Sequence, residues 1–442
     1  MHRRTLIALL AASAALPIAA RAAPGFAITV IAMADLHSAY DRTGPLLAEI
    51  AAQAAGPHPL IVLNGDLFET GNSVTTASKG EIDWAFLAEL PKLAPTVINI
   101  GNHEPDLDPD LAQFVTRATD LGITVISNII DARSGQPYAP ASITLTIADQ
   151  PVTLTGIATD ALFTYPESTR ALIEVPPPVE WVRDHLPGLM GDGLNIVLSH
   201  AGVLADRDIL PLLPDGTVLI GGHDHLTLLA EQGATRYLHT GSWSAQIAVA
   251  TLIPGQPARI TRIDIDPGAT PHPALAALIP TTLNAHLTPD DRQIVATSPK
   301  AMPVRDLALF TAAAMARDAG GDVGFIGHTT FGAGLPAGPV SRHDFHSAIR
   351  FDGKLMQAKV TADVLADILT RINQFGDYPL HRRTGDFLYA APDTPAKDSY
   401  LLITNGWSVM NAASYFGRDD LTFTEVPGGE VRAAVLSALG AP

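Results

Sequence analysis

The chain has 442 residues, 47% of them apolar and 17% charged, with no cysteine and a formal net charge of −17. This excludes a disordered or collagen-like chain, a disulfide framework, a thiol nucleophile and an iron–sulfur cluster. The acidic balance disfavours phosphate backbones, so no nucleic-acid partner is expected, and the length suits two or three domains of roughly 150 residues.

The N-terminus reads as an address. Arg3 and Arg4 make a short basic start, residues 6–20 are apolar but too few to span a bilayer, and Ala20-Arg21-Ala22 places small residues at a cleavage site. Residues 1–22 are therefore read as a cleavable export signal, with the arginine pair compatible with the twin-arginine route. A periplasmic or secreted protein follows. Beyond it no uncharged apolar run approaches the about 18 residues of a membrane span, so no stable membrane insertion is expected.

Five β-rich runs then stop at polar residues. Residues 28–32 lead to Asp35, residues 60–63 to Asn64-Gly65-Asp66, and residues 96–100 to Gly101-Asn102-His103. Residues 194–198 lead to Ser199-His200, and residues 217–220 to Gly221-Gly222-His223. Helical patterns at 43–55 and 84–93 lie between the first three. Strands alternating with helices argue for an α/β domain whose functional groups gather beyond the carboxyl ends of the strands. From 136 to about 266 the pattern turns β-like, with alternation at 143–147, 152–155 and 259–265. Pro267, Pro271 and Pro273 punctuate a boundary. Residues 24–268 are read as one domain, 269–297 as a connecting helix or loop, and 298–442 as a second domain with helical patterns at 306–316 and 361–372.

The five clusters are Asp35-Leu36-His37, Gly65-Asp66, Gly101-Asn102-His103-Glu104, Ser199-His200 and Gly221-Gly222-His223-Asp224-His225. Mixed imidazole, carboxylate and amide donors suit Zn, Mn or Fe rather than Ca. Asp66, a single carboxylate with two oxygens, can bridge two ions about 3.5–4 Å apart. Each cluster alone is weak, since a lone histidine at a strand end is more often a structural hydrogen-bonding group. Their conjunction in one order, each after an apolar strand, is the signal. No Walker A sequence, no convincing G-x-G-x-x-G and no G-x-S-x-G motif competes with it.

In these motifs the chain resembles the calcineurin-like metallophosphoesterases, and within them the 5′-nucleotidases, whose pattern is D-x-H, G-D, G-N-H-[E/D], H and G-H-x-H. The resemblance implies an N-terminal four-layer α/β/β/α sandwich with a C-terminal α+β domain. It implies one divalent ion held by Asp35, His37, Asp66 and His225, and a second held by Asp66, Asn102, His200 and His223. His103, paired with Asp106, would then stabilise charge on the phosphoryl group or protonate the leaving oxygen, with a metal-activated water as nucleophile.

The resemblance extends into the second domain. Phe351 in Arg350-Phe351-Asp352-Gly353 and Trp407 in the segment 405–415 fall where that family stacks a nucleobase between two aromatic rings. Two positions depart from it. Gly332 stands where an arginine helps to hold phosphates, and Ala413 stands where an aspartate is expected. The leading expectation is an exported hydrolase of small phosphoesters, most of all nucleotides, acting as a monomer with two divalent ions. A thiosulfohydrolase of the same fold and a non-catalytic ligand-binding relative are the alternatives.

Overall fold

The computed structural model describes residues 27–375, 378–391 and 396–440, so the export-signal reading lies outside the described residues. Two six-stranded sheets take their strands from the first two thirds of the chain. In the first, Ile28–Met33, Pro59–Asn64, Thr96–Asn99 and Thr124–Ile126 run parallel, Gln246–Leu252 lies antiparallel beside Ile28–Met33, and Arg259–Asp264 pairs antiparallel with Gln246–Leu252 at the edge. In the second, Thr235–Thr240, Val218–Gly221, Leu194–His200 and Gln150–Ala158 run parallel, flanked by antiparallel Thr227–Gln232 and Ser142–Ile147.

The sequence dictates how they stack. Ile28–Met33 is buried along its whole length, as befits a strand covered on both faces. Its even-numbered side chains Ile28, Val30 and Ala32 join Leu154, Ile196 and Leu198 of the second sheet in one apolar layer. Its odd-numbered Ile31 and Met33 face outward onto Leu46, Leu47 and Ile50 of helix Tyr40–Gln53 and Phe86 and Leu87 of helix Glu81–Leu93. The period of two along each strand thus builds helix, sheet, sheet and helix in turn. Each such aliphatic side chain contributes about 1.5–3 kcal/mol by leaving water. The outer face of the second sheet carries Val197, Leu219 and Tyr237, packed under helices Pro178–Leu189 and Val203–Ile209.

The β-like pattern expected from 136 to 266 is therefore interrupted. Helix Pro178–Leu189 is masked in the sequence by Pro176, Pro177, Pro178 and Pro187. Pro178 sits at the first helical position, where a missing N–H costs nothing.

Ile130–Asp131 pairs with Gln136–Pro137 and Ile173–Glu174 in a small three-stranded sheet, and the strands after residue 290 form two more sheets. One has five strands in the order Leu388–Ala390, Val323–Gly327, Ser399–Asn405, Lys354–Thr361 and Thr424–Glu430, and the other pairs Ile294–Ser298 with Gly338–Ser341. Helix Val304–Asp318 packs on the larger one. The apolar cluster beneath the second sheet continues into Leu307, Met315, Ile326 and Phe345, so the two parts share packed surface. Across the same boundary Arg207 Nη1 donates to Arg383 O at 2.6 Å, and His328 Nε2 donates to Asp224 O at 2.9 Å.

One buried acid has a consequence for stability. Tyr40 OH bridges Thr75 Oγ1 and Asp83 Oδ2, at 2.8 and 2.6 Å. Burial raises the Asp83 carboxyl to about 7, above the about 3.9 of an unfolded chain. A folded value above the unfolded one means that ionisation disfavours the fold, with the cost growing as pH rises from about 4 to 7. Asp83→Asn keeps the acceptor oxygen without the charge. It should raise Tm at pH 8 and leave it nearly unchanged at pH 4, as thermal melts at the two pH values will show.

Candidate metal centre

The five polar clusters lie at or just beyond the carboxyl ends of parallel strands, and two buried asparagines tie those ends together. Asn64 Nδ2 donates to Ser199 O and Ile220 O at 2.8 and 2.9 Å. Asn99 Nδ2 donates to Ile157 O at 2.9 Å and to Asn64 Oδ1 at 2.9 Å. The clusters from separate sheets are thereby brought to one place.

Local backbone does the aiming. Asp35, His37, Asp66, His223 and His225 all have positive φ, between 47° and 79°. For residues with a Cβ this conformation is uncommon and strained, and it persists where surrounding structure enforces it. Glycines make the close approach feasible. A Cβ on Gly65, itself at φ 75°, would lie 2.7 Å from His200 Nδ1, and one on Gly101 would lie 2.4 Å from Asp66 Oδ1. Asp224, between His223 and His225, accepts from Val203 N at the start of a helix instead of joining the cluster.

Two groups of candidate ligands result. One nitrogen or oxygen each from Asp35, His37 and His225 lies within 4.8 Å of the others, as do those of Asp66, His200 and His223. Asn102 Oδ1 joins the second group, 2.8 Å from His223 Nδ1. The same Asp66 oxygen, Oδ2, is 3.1 Å from His200 Nε2 and 3.8 Å from His37 Nε2, so it faces both groups. All seven residues singled out in the sequence are brought together.

The donors fit divalent metal ions. His37 Nε2 and His225 Nε2 face each other at 2.9 Å. Burial holds His37 well below its ordinary value, His223 down to about 4 and His225 down to about 3, which keeps these rings neutral with a lone pair to offer. His200 fixes its tautomer through Nδ1, 2.7 Å from Asn64 O, and turns its buried Nε2 to Asp66 Oδ2 at 3.1 Å. Burial opposes a charge on His200, but the Asp66 carboxylate outweighs it and raises the imidazole to about 10. Burial likewise opposes ionisation of Asp66, and His200 and His103 outweigh it, holding the carboxyl well below the usual range. A cation between them would displace the imidazole proton.

His103 stands beside this set. Its Nδ1 is 2.9 Å from Asp106 Oδ2, which also accepts from Thr70 N at 3.0 Å. Burial works against a charged ring, but Asp106 and Asp66 raise it to about 10. A ring nitrogen of His103 also lies within 4.8 Å of donors on His37 and Asp66.

Several contributing residues carried no role in the sequence reading. Glu104 accepts from the backbone N–H of Gly101, Asp66 and Leu67, at 2.6, 3.1 and 2.9 Å, and so holds the turn that carries Asp66. It is part of the G-N-H-E motif, which was the available signal. Glu69 and Trp243 flank His37 from positions with no local signal. Phe351 and Trp407 lie in the second part of the chain, 52% and 48% exposed, so they are not core residues. Trp407 Nε1 is 3.3 Å from Tyr415 OH. Ala413 lies in the short helix Ala412–Tyr415.

Residues 28–226 match the family model for calcineurin-like phosphoesterases. The chain carries a calcineurin-like phosphoesterase domain. Its fold extends to the second part. A 5′-nucleotidase precursor of Thermus thermophilus superposes with a TM-score of 0.58 at 18% identity, covering 94% of this chain and 96% of that one. A sulfate thiohydrolase, SoxB, of Thermus thermophilus superposes with a TM-score of 0.59 at 15% identity, covering 93% and 94%. An apyrase of Aedes albopictus is 24% identical over 243 residues, 48% of this chain. That match spans only 42% of the apyrase. The phosphoesterase domain thus contains all seven candidate ligands as well as His103 and Asp106. Among the described residues, no helix is long and apolar enough to cross a membrane.

Proposed function

We propose that the protein is an exported hydrolase of phosphoesters, nucleotides above all, working with two divalent ions of Mn, Zn or Fe type. The observation that carries this reading is the convergence of seven side chains into two groups facing one oxygen of Asp66. Ions held there would polarise a phosphoryl group and bring a coordinated water toward neutrality in pKa. His103, hydrogen-bonded to Asp106, would stabilise phosphoryl charge or hand a proton to the leaving oxygen. Residues 24–268 would form the metal unit, 298–442 the substrate unit, and 269–297 their connection. The pattern of residues 1–22 supports export to the periplasm or medium, and the working form is a monomer.

The names of two relatives, an apyrase and a 5′-nucleotidase precursor, favour nucleotides, and so do the exposed rings of Phe351 and Trp407. Stacking contributes about 1–3 kcal/mol per base. Trp407→Ala should therefore raise KM for a nucleoside monophosphate by roughly one to two decades, while a simple aryl phosphate is hardly affected. Equal losses on both substrates, with circular dichroism unchanged, would reject the clamp.

The likeness to a sulfate thiohydrolase favours one second reading, cleavage of a sulfur bond at the same centre. Purified protein with Mn²⁺ or Zn²⁺, offered nucleoside monophosphates, cyclic nucleotides, aryl phosphates and a thiosulfonate, separates the two. Turnover of the thiosulfonate alone would overturn the phosphoester reading.

A further inference from the structure

The space over Gly332, where the resemblance expects an arginine, is occupied. A Cβ there would lie 2.3 Å from Ser347 O and 3.1 and 3.2 Å from Cγ and Cδ of Arg350, so the backbone at Ser347 and the stem of Arg350 both close over the bare glycine. From there the side chain reaches out of the second part of the chain to the metal centre. Its Nη2 donates to Glu69 Oε2. Its guanidinium carbon lies 4.5 Å from the centroid of the Trp243 ring and 4.9 Å from that of Phe351. Both contacts on the metal side touch one candidate ligand. Glu69 Oε2 is 3.6 Å from His37 Nδ1, and the Trp243 ring stacks on the His37 ring with centroids 4.9 Å apart.

The pair is buried, with side-chain exposures of 8% for Arg350 and 5% for Glu69. Yet among the described residues Arg350 Nε has no hydrogen-bond partner. A guanidinium has five N–H donors, and leaving one of a buried cation unmade is costly unless a ligand completes it. Room for a ligand exists, since Glu69, Trp243 and Arg350 line a cavity of about 680 Å³. The planar fork of arginine suits phosphoryl oxygens.

We propose that the Glu69–Arg350 pair is the device that sets anion affinity at this centre. Arg350 contacts a phosphoryl oxygen through its unpartnered Nε–H, and Glu69, sharing the same guanidinium, weakens that contact so that the phosphate product can leave. The inference rests on the phosphoester reading.

The test uses the metal-loaded full chain and inorganic phosphate as probe, read both by calorimetric binding and by inhibition of aryl phosphate hydrolysis. Arg350→Met, which keeps an unbranched stem over Gly332, should weaken phosphate binding about 10- to 100-fold and raise KM more than it lowers kcat. Glu69→Gln, which keeps an acceptor for Nη2 without the charge, should tighten phosphate binding several-fold. In the double variant that gain should vanish. Metal content and melting temperature of each variant are measured alongside. Unchanged phosphate binding in folded, metal-loaded Arg350→Met would overturn the inference. So would weaker binding in Glu69→Gln, which is the outcome for a pair that merely fastens the two parts together. Wild-type protein that hydrolyses no phosphoester would count against the functional reading instead, while calorimetry would still decide whether Arg350 binds the anion.

Discussion

Asp66→Ala is expected to abolish hydrolysis and to empty both halves of the metal centre. Asp66 Oδ2 is the oxygen that faces His200 Nε2 at 3.1 Å and His37 Nε2 at 3.8 Å, one from each ligand group. Asp35 and His225 group only with His37, and His200 and His223 only with Asp66, while His37 itself groups with Asp66 and His103 as well. Its second oxygen accepts the His103 backbone N–H at 2.8 Å, so the carboxylate also fixes the G-N-H-E turn. Loss of one charge-stabilising group costs about 10²–10³ in rate. Loss of a group shared by two ions should cost more, at least about 10³-fold, with strong chelation of the wild type giving the same inactive state. Metal analysis and turnover, measured together, check this. Wild-type protein that is active with one ion or none per chain would overturn the dinuclear assignment. Asp66→Ala protein that keeps two ions would remove Asp66 from the bridging role.

His103→Ala should behave differently. It is expected to lower kcat by about 10²–10⁴ while both ions stay in place, because its part is with the substrate's charge and proton. The basis is the 2.9 Å contact of Nδ1 with Asp106, which fixes the ring beside the cluster. Asp106→Asn should fall in the same direction with a smaller loss, since the ring then keeps its place but loses the charge that favours its protonated form. The informative comparison is metal content. His103 also has a nitrogen within 4.8 Å of His37 and Asp66 donors. A His103→Ala protein that loses an ion would make it a ligand and would end the acid–base assignment.

The active half of the molecule was readable in one dimension because its signals are local. Apolar runs of four to six residues must be strands when both faces are covered, and the turn that ends each parallel strand carries its polar residues to the same edge of the sheet. Hence Asp35, Asp66, Asn102, His200 and His223 could be placed at strand ends before any contact was known. Helix Pro178–Leu189 escaped because its prolines imitate a loop. Phe351 and Trp407 were singled out only through the family resemblance, because an aromatic residue in a sequence is by itself more often core, and the structure leaves both rings exposed.

What the sequence determined by itself is the fold class and the order of the metal-ligand clusters, since both follow from short-range periodicity and from residue types with few alternative uses. Tertiary structure alone decided how the clusters meet. Asn64 and Asn99 join two sheets through carbonyls 58 to 156 positions away, and Arg350 finds Glu69 across 281 positions. No local pattern encodes such contacts. They exist because the apolar layer between the sheets fixes the distance between them, and because the bare glycine at 332 lets the Ser347 backbone and the arginine stem pack close beside it.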